Sequence, residues 1–326
     1  MGTRYNHLSL AEREEISVLK AQGKSLREIA RIIDRNPSTI SRELKTNVPP
    51  VHTGYYRGHK AHHRATIRNQ QSHKRQRLKH DVISSYVTEK LRLGWSPEQI
   101  AGTLSYELPG HCISHEAIYQ YIYTQQRELI AYLPRSHKKR WKRRHSRKHR
   151  TTHIPNRVSI QQRPCAIENR SQSGHWESDT VVSRQGIAAL LVLVERKSRF
   201  TVIERLPRKT AHETKATIVH SLQVFPPQLR RTITYDNGSE NTEHEAVNQV
   251  LGTKSYFCNP YHSWEKATVE HTIGLIRRFF PKKTNFDQLT DIDIRCVEIL
   301  LNKRPRKCLN YQTPLEVFAH CVALTG

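Results

Sequence analysis

The chain lacks any long apolar run: its longest strongly apolar stretch is IAALLVLV, residues 187–194. Because a helix that spans a bilayer needs about 20 such residues, the sequence predicts no transmembrane helix. The first residues, MGTRYNHLSLAERE, are polar from the start and show no signal-peptide pattern. We therefore expect no membrane partner and a cytoplasmic location.

The sequence also lacks paired cysteines. Its six cysteines are scattered, and none has the C-x-x-C spacing. This arrangement argues against a disulfide framework and against a zinc site built from cysteine and histidine pairs. The sequence predicts reduced thiols.

Acidic residues are scarce in the first half of the chain. Residues 1–150 hold 30 Lys+Arg against 12 Asp+Glu, within a net charge of +25 for the whole chain. So strong an excess of positive charge is typical of a segment that binds a polyanion. We expect nucleic acid as the partner of this half, and no small-molecule substrate.

Residues 8–46 carry the signals of three short helices. Ser-x-x-Glu capping boxes begin at Ser9 and Ser25, and Asn36 supplies an N-cap followed by proline. Helix, tight turn and helix form a helix-turn-helix, whose second helix enters the major groove of DNA. A bundle that does not bind DNA is the alternative. The side chains expected to face DNA are Ser38, Thr39, Ser41, Arg42 and Lys45.

Two basic segments and a second helical pair follow. Residues 52–80 hold eight Lys/Arg, six His and no acid, and we interpret them as a helical linker that contacts phosphate. Residues 95–125 carry helix starts at Ser96 and Ser114, which predict a second DNA-binding bundle or, alternatively, a dimerisation element.

The tract HKKRWKRRHSRKHR, residues 137–150, has nine Lys/Arg and no acid. Such a tract does not fold alone, and we expect it to lie along the DNA backbone or to serve as a flexible linker. Its first cations are the predicted phosphate contacts: Lys138, Lys139, Arg140, Lys142, Arg143 and Arg144.

From about residue 160 the pattern changes to strands and helices. Three strands follow in close succession, and then helix, strand, helix, strand and a long helix from about 265 to 280. This order predicts an α/β ribonuclease H-like fold behind all-α helix-turn-helix modules. The predicted domains are residues 1–50, 51–135, 136–158 and 159–326.

Three carboxylates in this half indicate a catalytic site. Asp179 lies on the first strand, Asp236 ends the fourth, and Glu270 follows on the long helix after 33 intervening residues. Oxygen ligands from separate elements suit Mg²⁺ or Mn²⁺, and two such ions can clamp the oxygens of a phosphoryl displacement. On the flank of the same helix, Lys266 and Arg277 are expected to hold a phosphodiester.

Other polar residues near these carboxylates receive supporting roles. Glu177 shares a sheet face with Asp179, and we expect it to lie behind that residue. Glu240 is expected to cap the next helix. The histidines that could assist are expected to be exposed: His175, His262 and His271.

Six motifs in order resemble the IS-thirty family of bacterial insertion-sequence transposases. They include SLREIARIIDRNPSTISRELKTN, WSPEQIAGTL, HWESDTV, DNGSE, SWEKATVEHTIGLIRRFF and LNKRPRKCLNYQTPLEVF. The resemblance implies an integrase-type catalytic core with Asp179, Asp236 and Glu270 as its DDE triad and two metal ions as cofactors. It also implies double-stranded DNA partners, namely terminal inverted repeats and target DNA, and a homodimer or larger assembly in the bacterial nucleoid.

Two hypotheses from different functional classes follow. The first is an active DDE transposase. The second is a sequence-specific repressor whose catalytic core has decayed, motivated by Ser178 and His271, which depart from the family pattern. A ribonuclease H or Holliday-junction nuclease would share the fold but would not need two DNA-binding modules.

Overall fold

A computed structural model of the chain shows two compact units, Met1–Arg77 and Leu78–Gly326. None of the helices it describes has the length and apolarity needed to span a bilayer. The residues that the structure describes are 7–48, 55–73, 78, 80–134, 154–260 and 262–324.

The first unit is built from four helices: α1 (Leu10–Ala21), α2 (Leu26–Ile32), α3 (Pro37–Asn47) and α4 (Gly58–His73). The capping boxes predicted at Ser9 and Ser25 are both formed, and the side chain of Asn36 accepts a hydrogen bond from the amide of Ser38. Ile40 and Leu44 of α3 are buried in the core. The predicted helix-turn-helix is therefore present.

Helix α4 packs within the first unit, whereas the sequence had suggested a linker there. It meets α1 at Gly58, where an added Cβ would lie 2.6 Å from backbone atoms of Arg13. Arg64 and Arg68 of α4 donate to carbonyl oxygens at the end of α3. The unit consequently extends past the predicted boundary at residue 50, because α4 packs against both α1 and α3.

A buried ion pair joins α1 to α3. The guanidinium of Arg13 contacts both carboxylate oxygens of Glu43, at 2.9 and 3.2 Å. Tyr56 and Asn47 donate further hydrogen bonds to the same carboxylate. The charge of Glu43 is thus fully satisfied inside the unit, which is the condition under which a buried charge is tolerated.

The second unit begins with a helical bundle, α5 (Asp81–Arg92), α6 (Pro97–Glu107) and α7 (His115–Thr124). Ser96 and Ser114 cap α6 and α7 as expected. The rest of the unit holds a short helix α8 and a sheet flanked by longer helices. These helices are α8 (Cys165–Glu168), α9 (Ala211–Gln223), α10 (His244–Leu251), α11 (Ala267–Phe279), α12 (Asp291–Asn302) and α13 (Pro314–Ala323).

The sheet has five strands in the order β3-β2-β1-β4-β5. Strands β1, β2 and β3 are antiparallel neighbours, whereas β4 and β5 run parallel to β1. The described range thus has the predicted succession of strands. Their bounds are β1 (His175–Val182), β2 (Ala189–Glu195), β3 (Thr201–Leu206), β4 (Thr232–Tyr235) and β5 (Lys254–Phe257).

Both faces of the sheet carry a hydrophobic core, so the sheet is the middle of three layers. One core holds Trp176 and Leu222 with residues of α10 and α13. The other holds Val192 with Ile276 of α11 and Ile294 of α12. Helix α11 is thereby pressed onto the face of the sheet that also carries Glu177 and Asp179.

Candidate active site

Asp179 lies in the middle of β1, the central strand. Strands β2 and β4 pair with β1 on either side. The side chain of Asp179 is 21% exposed. Oδ1 accepts a hydrogen bond of 2.8 Å from the amide of Thr180. The other oxygen, Oδ2, faces α11.

Asp236 follows the last residue of β4 and is more exposed, at 42% of its side chain. Its Oδ1 accepts a hydrogen bond of 2.8 Å from the side chain of Asn241 and one of 3.3 Å from the amide of Gly238. Local donors therefore hold one oxygen of each aspartate and leave Oδ2 of each for a shared partner.

That partner is the ammonium of Lys266. Its Nζ lies 3.5 Å from Oδ2 of Asp179, 3.7 Å from Oδ2 of Asp236 and 3.0 Å from the carbonyl oxygen of Ser178. Lys266 is 3% exposed. The two aspartates predicted from separate strands thus converge on one buried cation.

The electrostatics of this group follow from burial and proximity. Burial raises the pKa of Asp179, and Asp236 raises it further, although Lys266 acts in the opposite direction. Burial alone lowers the pKa of Lys266, but Asp179 and Asp236 outweigh it and bring the pKa above its usual value. The lysine is therefore charged, and its single positive charge lies next to two carboxylates.

Glu270 lies in the first turn of α11, four residues after Lys266, and is exposed. No hydrogen bond or ion pair of its carboxylate occurs among the described residues. Across the same residues, no three His, Cys, Asp or Glu side chains form a group arranged to hold a metal ion. The structure thus brings Asp179 and Asp236 together, and it places Glu270 one helical turn after Lys266 on α11, exposed to solvent.

The residues present nevertheless fit a divalent cation. Mg²⁺ takes oxygen ligands and commonly binds through one or two carboxylates. Here two carboxylate oxygens already point at one position that a positive charge occupies, the ammonium of Lys266.

The sequence predicts that Lys266 contacts phosphate, whereas in the structure its ammonium lies against Asp179 and Asp236. The ammonium faces carboxylates because α11 buries it against β1, and it is not presented to solvent. Arg277 lies farther along α11, where its Nη2 donates to the carbonyl oxygen of Val182 at 2.6 Å. Its Nη1 has no hydrogen-bond partner in the described part of the chain.

Glu177 anchors the start of α11. It is 1% exposed, and its carboxylate accepts hydrogen bonds from Arg196 at 2.5 Å and from the amide of Val269 at 2.9 Å. The sequence pattern predicted a position behind Asp179 for Glu177, but it gave no sign of this bond to the helix that carries Glu270.

Two expectations about neighbouring polar residues were wrong. Glu240 does not cap α10; it forms an ion pair with Lys209 at 2.7 Å and accepts a hydrogen bond from the hydroxyl of Thr180 at 3.2 Å. The reason is a 3-10 turn, Ser239–Asn241, that separates it from the helix start. His175 is not exposed but 4% accessible, because β1 begins earlier than expected and His175 lies inside the sheet.

The predicted DNA-facing residues of α3 lie on its outer side. Ser38, Ser41, Arg42 and Lys45 are exposed, and Thr39 is half-buried. Arg42 and Thr39 line a groove between α3 and α4. In the second bundle, the outer side of α7 bears no lysine or arginine, and Tyr119 stacks there on Tyr123.

The six predicted phosphate contacts of the basic tract lie outside the described residues. They are Lys138, Lys139, Arg140, Lys142, Arg143 and Arg144.

Two family models match the chain: a helix-turn-helix domain over residues 4–47 and an integrase core domain over residues 169–263. The transposase InsI for insertion sequence element IS30A of Escherichia coli (strain K12) is 39% identical, covering 98% of this chain and 85% of that protein. The transposase for insertion sequence element IS1086 of Cupriavidus metallidurans is 36% identical, covering 98% and 96%. The transposase for IS4351 of Bacteroides fragilis is 35% identical, covering 97% and 96%.

The chain belongs to the IS30 family of insertion-sequence transposases. The family and the fold class expected from the motifs are thereby confirmed. As a member of the IS30 family with an integrase core, the chain is an enzyme of the polynucleotidyl transferase type that serves DNA transposition. Among solved structures, the catalytic core domain of BIV integrase is 22% identical, covers 45% of this chain and 95% of its own, and has a TM-score of 0.37.

Proposed function

We propose that this chain is a DDE transposase that cleaves DNA at the ends of its insertion sequence and joins those ends to target DNA. The observation that supports this proposal is the convergence of Asp179 and Asp236 on one cation position next to the first turn of α11. Glu270 lies on that turn and supplies the third carboxylate.

Asp179 and Asp236 would hold one divalent ion, Mg²⁺ or Mn²⁺, and Glu270 would complete a second site with them. Ions bound there would stabilise the charge that develops on the attacking and leaving oxygens of the phosphodiester. Lys266 keeps the two aspartates close together in the absence of an ion. We also assign Arg277, a half-buried cation of α11, to a contact with a phosphate oxygen.

The DNA partners follow from the modules around the core. Helix α3 would enter the major groove of a terminal inverted repeat, with Arg42 on its exposed side. The second bundle would bind DNA or a second copy of the chain. Because two ends must be cleaved and joined, we propose at least a homodimer on paired ends.

The test of catalysis uses the full chain, Mg²⁺ and a duplex that carries the DNA flanking the reading frame. We expect strand nicking at the repeat boundary, and we expect Asp179→Asn to abolish it because an amide is a poor ligand for a hard cation. The matched control is Asp291→Asn, which changes an exposed carboxylate at the start of α12 and should leave nicking intact.

Two results would contradict the proposal. Equal nicking by Asp179→Asn and the unchanged chain would remove Asp179 from the site. Sequence-specific binding without cleavage in Mg²⁺, Mn²⁺ or any other divalent ion would instead support the repressor hypothesis.

A further inference from the structure

A pocket of about 250 Å³ lies against the first turns of α11, outside the carboxylate site. Three arginines from distant parts of the chain line it: Arg170 after α8, Arg199 in the β2–β3 turn, and Arg306 after α12. The remaining lining includes Thr268 and Cys308.

Two of the three guanidiniums in this pocket share a neutral acceptor, and the third, that of Arg306, donates to the carbonyl oxygen of Leu301 at 3.4 Å. Arg199 donates to the hydroxyl of Thr268 at 2.8 Å, and Arg170 approaches the same oxygen at 3.4 Å. The Nε atoms of Arg199 and Arg306 have no hydrogen-bond partner in the described part of the chain. Arg306 is only 7% exposed, so its unpaired Nε is inside the protein.

No carboxylate among the described residues lies within ion-pair distance of these three guanidiniums, although Glu177 and Glu168 act on Arg170 from farther away. Glu168 and Glu177, the acids that act on Arg170, are already bound to Arg163 and Arg196. None of the three pocket arginines forms an ion pair with a described residue. Buried charges without partners are costly, so the pocket is built for an anion that the protein itself does not supply.

Two further observations agree with this conclusion. Burial, and then Arg199, lowers the pKa of Arg306 to about 10, so three like charges remain close together at neutral pH. Arg170 and Arg199 also adopt left-handed backbone conformations, with φ of 52° and 65°. Strained conformations of this kind concentrate at functional sites.

The position of the pocket specifies its ligand. Ala267, Thr268 and His271 line it, and Glu270 lies on the same turn of α11. Because a helix with its side chains is about 10 Å in diameter, the pocket lies roughly 10 Å from the Glu270 side of α11. Nucleotides of one strand rise about 3.4 Å each along the axis, so a strand at Glu270 passes the pocket within about three nucleotides.

We propose that Arg170, Arg199 and Arg306 bind a backbone phosphate of the DNA strand that is cleaved at the carboxylate site. Guanidiniums suit this ligand because their planar fork matches phosphate oxygens. The assignment rests on the proposed function, since it takes DNA as the ligand, but it can be tested without any strand cleavage.

The first experiment measures the salt dependence of binding for the full chain and the flanking-DNA duplex, without divalent ions so that the DNA stays intact. Because Arg170, Arg199 and Arg306 share one phosphate, Arg170→Gln and Arg199→Gln should each flatten the slope of log affinity against log salt in part. The two substitutions together should flatten it by up to about 0.9, the value for one phosphate that is no longer neutralised. Affinity should fall about tenfold. The matched control is Arg231→Gln, an exposed arginine whose side chain donates only to the carbonyl of Gln228; it should keep the slope of the unchanged chain.

The second experiment uses the exposed thiol of Cys308 as a reporter. The rate of its alkylation by N-ethylmaleimide is followed by mass spectrometry, with exposed Cys296 on α12 as the internal reference. The duplex should slow alkylation of Cys308 but not of Cys296, and Arg170→Gln with Arg199→Gln should remove that protection.

Either of two results would overturn the assignment: an unchanged salt slope in both variants, or protection of Cys308 by millimolar inorganic phosphate equal to that by the duplex. The second result would identify a site for a free anion. Nicking is measured separately. If the unchanged chain does not nick the duplex but the duplex still protects Cys308, the proposed function is contradicted and the pocket assignment stands.

Discussion

At the scale of single residues, the main finding is that a lysine occupies the centre of the candidate active site. Two carboxylates on neighbouring strands repel each other when both are charged, and burial increases the cost. The ammonium of Lys266, within 3.7 Å of both, offsets that repulsion. The ammonium therefore allows the two carboxylates to lie close together on neighbouring strands.

His175 should make stability depend on pH. Burial, and then Arg231, Arg196 and Arg163, lowers its pKa to about 4. The unfolded chain takes up this proton below about pH 6.5, but the folded chain does so only near pH 4. Stabilisation by the neutral imidazole is therefore complete at pH 7 and is lost as the pH falls through this range. The loss should be about 2 kcal/mol at pH 5.

Urea unfolding at pH 7 and pH 5 measures this effect. His175→Gln should reduce the difference in free energy of unfolding between the two pH values by that amount. His320→Gln, which changes an exposed histidine on α13, should keep the original difference. An equal difference in His175→Gln and the unchanged chain would show that His175 is not responsible.

At the scale of elements, α11 is the component that assembles the site. Its apolar stripe, Val269, Ile276 and Phe280, is buried against the sheet as its 3.6-residue period predicted. Hydrogen bonds set the rotation of the helix: Glu177 binds the amide of Val269 and Arg277 binds the carbonyl of Val182. Glu270 is consequently exposed one helical turn after Lys266, the residue that contacts both aspartates.

Helix α3 should supply sequence discrimination. A bidentate contact of Arg42 with guanine is worth about 1–3 kcal/mol. Arg42→Ala should therefore reduce the preference for terminal-repeat over random DNA and leave the salt slope nearly unchanged. Arg27→Ala, an exposed arginine on α2, should not alter the ratio of the two affinities.

Competition binding with the two duplexes at several salt concentrations provides this measurement. Replacing four or five cations of the 137–150 tract should weaken binding to both DNAs alike and flatten the slope by about 0.9 for each phosphate that the tract no longer neutralises. Equal weakening of both DNAs by Arg42→Ala would make α3 a backbone contact and α7 the candidate for base recognition.

At the scale of the whole molecule, the second bundle and the catalytic core form one compact unit. Arg278 of α11 donates to the carbonyl oxygens of Gly94 and Tyr132, at 3.0 and 2.9 Å. Gln99 of α6 donates to the carbonyl of Pro305 at 2.5 Å. Helix α11 carries Glu270, and its Arg278 contacts the bundle. A ligand bound to the bundle would therefore lie at a fixed distance from Glu270.

Gly102 should be the most sensitive point of this interface. It lies in α6, and a Cβ there would overlap the ring of Tyr311. Gly102→Ala gains about 1 kcal/mol in helix propensity but loses about 1–3 kcal/mol through overpacking, so a net loss of stability is expected. When Tyr311→Ala is also present, the overlap is removed, so Gly102→Ala should then raise the free energy of unfolding by about 1 kcal/mol relative to Tyr311→Ala alone.

The interaction is tested by thermal and urea unfolding of the unchanged chain, the two single variants and the double variant, which together form a double-mutant cycle. The matched control is Gly274→Ala on α11, where an added Cβ meets nothing within 4 Å and should stabilise by about 1 kcal/mol. If Gly102→Ala stabilised the protein as much as Gly274→Ala, the packing of Tyr311 on α6 would be wrong.

The sequence alone determined the helix starts and the succession of strands and helices along the chain, and it predicts the three carboxylates as the catalytic site. Capping boxes and apolar periodicity are signals within a few residues, which is why the starts at Ser9, Ser25 and Ser96 were predicted correctly. The fold class followed from the succession of such elements.

Only the tertiary structure decided which side chains meet. Parallel pairing of β1 with β4 brings Asp236 beside Asp179, and packing of α11 on β1 then places Lys266 between them. The sheet buries His175, and three arginines from distant parts of the chain line one pocket with Thr268. These contacts join residues far apart in the chain, and no local pattern encodes them, because each depends on the register and rotation of elements that are set by the whole core.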